Sequence, residues 1–73
     1  MIDDGGAAMG EQHGDIYFEF TVLGALVKVA AIDSGTATEV TVMGPASASR
    51  ADLERLAAQK LRARLARDAR ESR

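Results

Sequence analysis

Three groups of residues carry side chains whose types and spacing could do chemistry. The first is MGPASASRADLERLA, Met43 to Ala57, where a Gly-Pro turn runs into a serine-led amphipathic segment. First-turn amides of a helix bind anions, and the hydroxyls of Ser47 and Ser49 beside Gly44 would add donors to a phosphate or carboxylate. The same residues also suit a plain corner. Gly44-Pro45 turns the chain, Ser49 caps the helix, and Asp52 already places a carboxylate where an anion would sit. Capping logic favours the corner, with Gly44, Ser47 and Ser49 kept as a candidate anion site.

The second group is a run of cations, Arg50, Arg55, Lys60, Arg62, Arg64, Arg67, Arg70 and Arg73. Such a helix could follow a nucleic-acid backbone by counterion release. Four interspersed acids and the lack of an aromatic platform for bases speak against it, and cations near a helix C-terminus are favourable without any partner. Lys60 and Arg64 fall beside the leucine row of the helix and are expected either to snorkel over the sheet edge or to face a second subunit. The third group is Glu11, His13 and Asp15 in EQHGD, at alternate positions that would converge on one face of a strand. Their glycine-rich surroundings offer no preformed metal site. With no cysteine and one histidine, no nucleophile-base pair or thiolate-ligated zinc is available, so neither catalysis, a metal nor a cofactor is expected.

The elements that must position these groups follow from pattern. Residues 1–14 hold four glycines and almost no large apolar side chain, and are expected to form a disordered tail. They open acidic, without the apolar stretch of a secretory leader, and no run approaches a membrane span, so a cytoplasmic location is expected with no membrane partner. The 73 residues fit one small domain whose single core is thin enough that self-association is a natural supplement. Seven arginines against two lysines suggest a GC-rich bacterial coding sequence.

Charge divides the chain. Residues 1–48 carry seven acids against Lys28 alone, a net −6, whereas residues 49–73 carry eight bases against four acids, a net +4. Such asymmetry raises the question of an acidic or nucleic-acid partner.

From Ile16 the apolar period is two. Ile16, Phe18, Phe20 and Val22 alternate with Tyr17, Glu19, Thr21 and Leu23, and Gly24-Ala25 then suits a type II′ hairpin. That turn sets Leu23 against Leu26, Val22 against Val27, Phe20 against Val29 and Phe18 against Ala31. For the second hairpin, DSGT with Ser34-Gly35 central would set Val29 against Val40 and Val27 against Val42. A two-residue shift with a longer loop keeps the same parity and stays open. After Pro45 the period becomes 3.6, with Leu53, Ala57, Leu61 and Leu65 in one row flanked by Leu56. Ser49 and Asp52 mark the helix start, and beyond Leu65 no large apolar residue remains, so residues 67–73 are expected to project and fray as a basic C-terminus.

The expected fold is α+β: a three-stranded antiparallel meander of order 1-2-3, then one C-terminal amphipathic helix on one face (βββα), spanning 15–66. Phe18, Phe20, Val22, Val27, Val29, Val40 and Val42 should meet the leucine row. Glu19 and Lys28, diagonal neighbours on the other face, could pair. That face also carries Leu23, Leu26 and Met43 at one end and Tyr17 with Ile32 at the other, more apolar surface than a solvated sheet needs. These five residues are the candidate interface, and two edge strands without an obvious guard add a second route to association.

The segments IYFEF, VKVAAID, TEVTVMGPASAS and DLERLAAQKL resemble a family of short uncharacterised alphaproteobacterial proteins, a domain of unknown function. The resemblance rests on Ile32-Asp33, on Gly44 to Ser47 and on Asp52 to Ala57. It implies a compact folded module and carries no activity, ligand or site residue with it. The function expected is a non-enzymatic interaction module, a homodimer formed through the open sheet face or edge and able to dock on another protein. The alternative is a nucleic-acid accessory protein acting through the Arg-rich helix.

Overall fold

The computed structural model describes residues 15–72. Three strands, β1 (Ile16–Leu23), β2 (Leu26–Asp33) and β3 (Thr38–Pro45), form an antiparallel sheet of order β1-β2-β3, and α1 (Arg50–Glu71) follows. The fold is therefore the βββα arrangement expected from the change in apolar period. Glu11 and His13 of the alternating acid-histidine group lie outside the described residues.

The first hairpin has the expected register, with Leu23 opposite Leu26, Val22 opposite Val27, Phe20 opposite Val29 and Phe18 opposite Ala31. Gly24 sits at φ 62°, and Ala25 has no positive φ, which matches the type II′ turn that needs glycine first. The second hairpin differs by the two-residue shift. Val29 faces Val42 rather than Val40, Val27 faces Gly44 rather than Val42, and Ala31 faces Val40. Asp33 is the cause. Its Oδ2 accepts from the Thr36 amide at 2.9 Å and from Thr36 Oγ1 at 2.8 Å, while the Ala37 amide donates to Asp33 O at 2.7 Å. An aspartate side chain that accepts from the amide and hydroxyl three residues on holds the turn closed, and here it closes a four-residue loop, Ser34 to Ala37. The left-handed position then falls on Ala37, at φ 62°, and not on Gly35.

The core lies between α1 and the sheet. Val27, Val29, Ala31 and Val40 meet Leu53, Ala57 and Leu61, with Ile16, Phe18, Phe20, Val42, Ala48 and Leu65 packed around them. Gly44 is needed for the close approach of α1: a Cβ there would stand 2.6 Å from Leu53 Cδ2. Helix α1 packs over β2 and β3 and barely reaches β1. Two expectations about the core fail for this reason. Val22, on the helix side of β1, is 62% exposed, and Leu56 is 53% exposed on the flank of α1.

Ser49 is the N-cap, its Oγ accepting from the Asp52 amide at 3.3 Å. At its other end α1 stays helical to Glu71, with the Ser72 amide donating to Asp68 O at 3.0 Å. Of residues 66–72, none is buried, and Arg67 and Arg70 line a groove with Val40 of β3.

Candidate functional site

Three surfaces are candidates, and each can be built from its residues. The corner comes first. Gly44 is buried against Leu53, the Ala48 amide donates to Pro45 O at 2.9 Å, and Ser49 accepts from Asp52. Asp52 pairs with Arg55 at 2.9 Å beside that same helix end. Ser47 is exposed in the turn. Gly44 and Ser49 thus have structural work that accounts for their types, and a carboxylate stands among the helix's first amides.

The second surface is the side of the sheet away from α1. Tyr17 lies opposite Ile32, and Leu23 lies opposite Leu26, which lies opposite Pro45. Tyr17, Leu23, Leu26 and Met43 are each about half exposed, at 57%, 49%, 47% and 51%, whereas Ile32 is partly covered. The structure therefore brings the five candidate interface residues to one face, at its two ends. Between those ends lie Glu19, Thr21, Lys28 and Thr41, with Ala30 buried among them at 4% exposure, while Glu39 stands beside Ile32 in the Tyr17 row. Glu19 and Lys28 do not form the expected ion pair; the pairs among the described residues are Arg55–Asp52 and Arg64–Asp68. Charge thus divides this face into two small apolar patches.

The third surface, the edge strands with the flanks of α1, separates more sharply than the sequence suggests. The Leu23–Leu26 pair closes a two-residue hairpin, so odd-numbered residues of β1 bond to β2, and Phe18, Phe20 and Val22 point their amides and carbonyls outward. The same three side chains lie on the helix side, where α1 leaves them incompletely covered. Among the described residues Arg50 reaches over, its guanidinium 4.5 Å from the centre of the Phe20 ring. On the opposite edge Lys60 Nζ donates to the Thr41 carbonyl of β3 at 2.7 Å. A lysine on an edge strand is a known guard against strand addition. Of the two expectations for Lys60, snorkelling over the sheet edge is the one seen.

Beyond Lys60 a groove of about 400 Å³ runs between β3 and the second half of α1, lined by Val40, Lys60, Ala63, Arg64, Arg67 and Arg70. Arg64 is tied to Asp68 at 3.2 Å. The cations of the helix therefore divide: Arg50 covers Phe20, Arg55 answers Asp52, Arg62 is exposed outside the groove, and Lys60, Arg64, Arg67 and Arg70 gather in it. Helical spacing alone placed Lys60 and Arg64 together, but joining Arg67 and Arg70 to Val40 required the crossing of α1 on β3.

Among the described residues no group of histidines and acids could hold a metal ion, and no helix is long and apolar enough to cross a membrane. No curated protein and no solved structure matches the chain. A family model, a domain of unknown function (DUF6898), matches residues 13–68, which takes in all three strands and nearly all of the helix. The chain belongs to the DUF6898 family.

Proposed function

We propose that this chain is a non-enzymatic interaction module that forms a homodimer by adding strand to strand along the free edge of β1. The observation that carries it is the position of α1, which covers β2 and β3 and leaves Val22 62% exposed beside a half-covered Phe20 and Phe18. On β1 the incompletely covered side chains and the backbone groups that find no partner among the described residues both belong to the even-numbered positions, Ile16, Phe18, Phe20 and Val22, so one added strand satisfies the hydrogen bonds and adds apolar cover together. The open face, with Tyr17, Leu23, Leu26, Ile32 and Met43, would serve less well because Glu19 and Lys28 divide it and Glu39 stands beside Ile32. We also take the protein to be cytoplasmic and of alphaproteobacterial type, and the dimer to be the form that docks on another protein.

A second reading is favoured by the groove of Lys60, Arg64, Arg67 and Arg70, which would suit a nucleic-acid backbone. Light-scattering mass across a concentration series at low and high salt, on the wild type, Val22→Glu and Leu26→Glu, tests the first reading. The expected result is twice the chain mass in the wild type and in Leu26→Glu at either salt, and the chain mass in Val22→Glu. Val22 is largely exposed, so its substitution leaves the fold intact, as an unchanged thermal melt would verify. A wild-type mass equal to that of one chain at every concentration would contradict the proposal. The second reading is tested by titrating a single-stranded or duplex oligonucleotide at two salt concentrations, where phosphate binding must weaken steeply as salt rises.

A further inference from the structure

The self-association proposed above also has a definite register, and the sequence of β1 selects it. We infer that two copies pair β1 against β1 in antiparallel fashion with the twofold axis through Phe20, so that Phe20 faces Phe20 of the second copy, Phe18 faces Val22 and Tyr17 faces Leu23. This inference rests on the β1 edge reading.

An isologous contact requires each residue to meet its counterpart under one rotation. Phe18, Phe20 and Val22 carry the outward backbone groups, so they must meet one another for the ladder to bond. Centring on Phe20 pairs all three with one another and leaves only Ile16, which shares their outward backbone, beyond the paired stretch of β1. On the helix side it brings together Phe18, Phe20 and Val22 of both copies in one unbroken apolar row. On the other face it sets Glu19 against Thr21, avoiding like charge, and joins the apolar Tyr17 of one copy to Leu23 of the next. Centring on Glu19 would set Glu19 against Glu19 directly, which is destabilising. Centring on Phe18 or Val22 would leave part of the row unpaired.

The arrangement is sterically open. In a six-stranded sheet with strands about 4.8 Å apart, the two copies of α1, each over β2 and β3, would stand about 19 Å axis to axis, well beyond the 8–10 Å of packed helices. Lys60 holds the Thr41 carbonyl on each outer edge, so growth would stop at two copies. Apart from Arg50 over Phe20 the interface carries no charge on the helix side, and salt should leave the dimer intact.

The chain has no cysteine, which allows a direct test. Glu19 and Thr21 are exposed and face away from α1, so Glu19→Cys and Thr21→Cys preserve the core. In the proposed register these two positions form a non-hydrogen-bonded pair with Cα atoms about 4.5 Å apart, inside disulfide range. Equivalent positions of the two copies stand about 8 Å apart on the diagonal, outside it. With oxidised glutathione as oxidant, mixing the two variants should give the disulfide-linked dimer, and either variant alone should lose it. A Glu19→Cys protein that cross-links to itself, or a light-scattering dimer with no mixed disulfide, would overturn the register while leaving self-association in place. A monomer by light scattering would overturn both.

Discussion

At the residue scale, three backbone positions show how closely local chemistry is tied to this fold. Ala37 holds φ 62° without being glycine, a conformation that costs an L-residue about 1–2 kcal/mol. Ala37→Gly should therefore stabilise the protein by up to about 1 kcal/mol after the extra unfolded-state freedom of glycine is deducted. A higher midpoint in urea with an unchanged slope would be the sign of it. Gly24, also at φ 62° but with open space around it, should behave in the opposite sense, Gly24→Ala costing about 1 kcal/mol through strain alone. Gly44 is a different case: an added methyl would press on Leu53, which is 4% exposed and has little room to yield. Gly44→Ala should cost about 1–3 kcal/mol by overpacking, and the same variant with Leu53→Val should recover part of that loss. If Gly44 instead served an anion, the methyl would weaken phosphate binding and leave the melt unchanged. The sequence marks Gly24 and Gly44 as turn residues but reads Ala37 as part of the third strand, and it favours Gly35 for the left-handed backbone. That assignment depends on Asp33 bonding Thr36, a choice between two loops of equal parity.

At the element scale, the strands and helix were legible because each apolar period is clean. Ile16 to Val22 alternates, Leu53 to Leu65 recurs every four residues, and Ser49 with Asp52 marks the boundary. What pattern could not supply was where α1 lies across the sheet. Periodicity says which face of a strand is apolar, but one helix about 10 Å wide covers only two strands spaced about 4.8 Å apart. Val22 is the residue that reveals the difference: its pattern is that of a core residue, and its place beyond the reach of α1 exposes it. The same limit hid the basic groove and the roles of Lys60 and Arg50, whose contacts need the helix set down on β3 and turned towards β1. Leu61, fully buried at the centre of the helix face, should cost about 2–5 kcal/mol as Leu61→Ala. Lys60→Ala would remove the donor from the Thr41 carbonyl. Its expected effect is on association rather than folding: the β3 edge becomes available and masses above the dimer appear in light scattering. A variant that stays dimeric at high concentration would deny Lys60 its guarding role. Residues 67–71 carry no buried side chain, so their amides should exchange with solvent much faster than those of Ala57 to Leu61.

At the scale of the whole molecule, a βββα unit with one helix on three strands is an incomplete layer, and its exposed part decides what the protein can do. The incompletely covered apolar side chains and the outward backbone groups coincide on β1, while the other edge is held by a lysine and flanked by cations. Association through β1 would double the sheet and carry the two basic grooves to opposite outer edges, where they could meet an acidic partner without competing with the dimer contact. The most direct test is residue-resolved amide hydrogen exchange on the wild type at two concentrations, one well below and one well above the association midpoint. Dimerisation through β1 predicts that the amides of Phe18, Phe20 and Val22 gain protection at the higher concentration, while those of Glu39, Thr41 and Met43 on the β3 edge keep the same rates. Unchanged exchange along β1, or protection that appears on β3 instead, would contradict it.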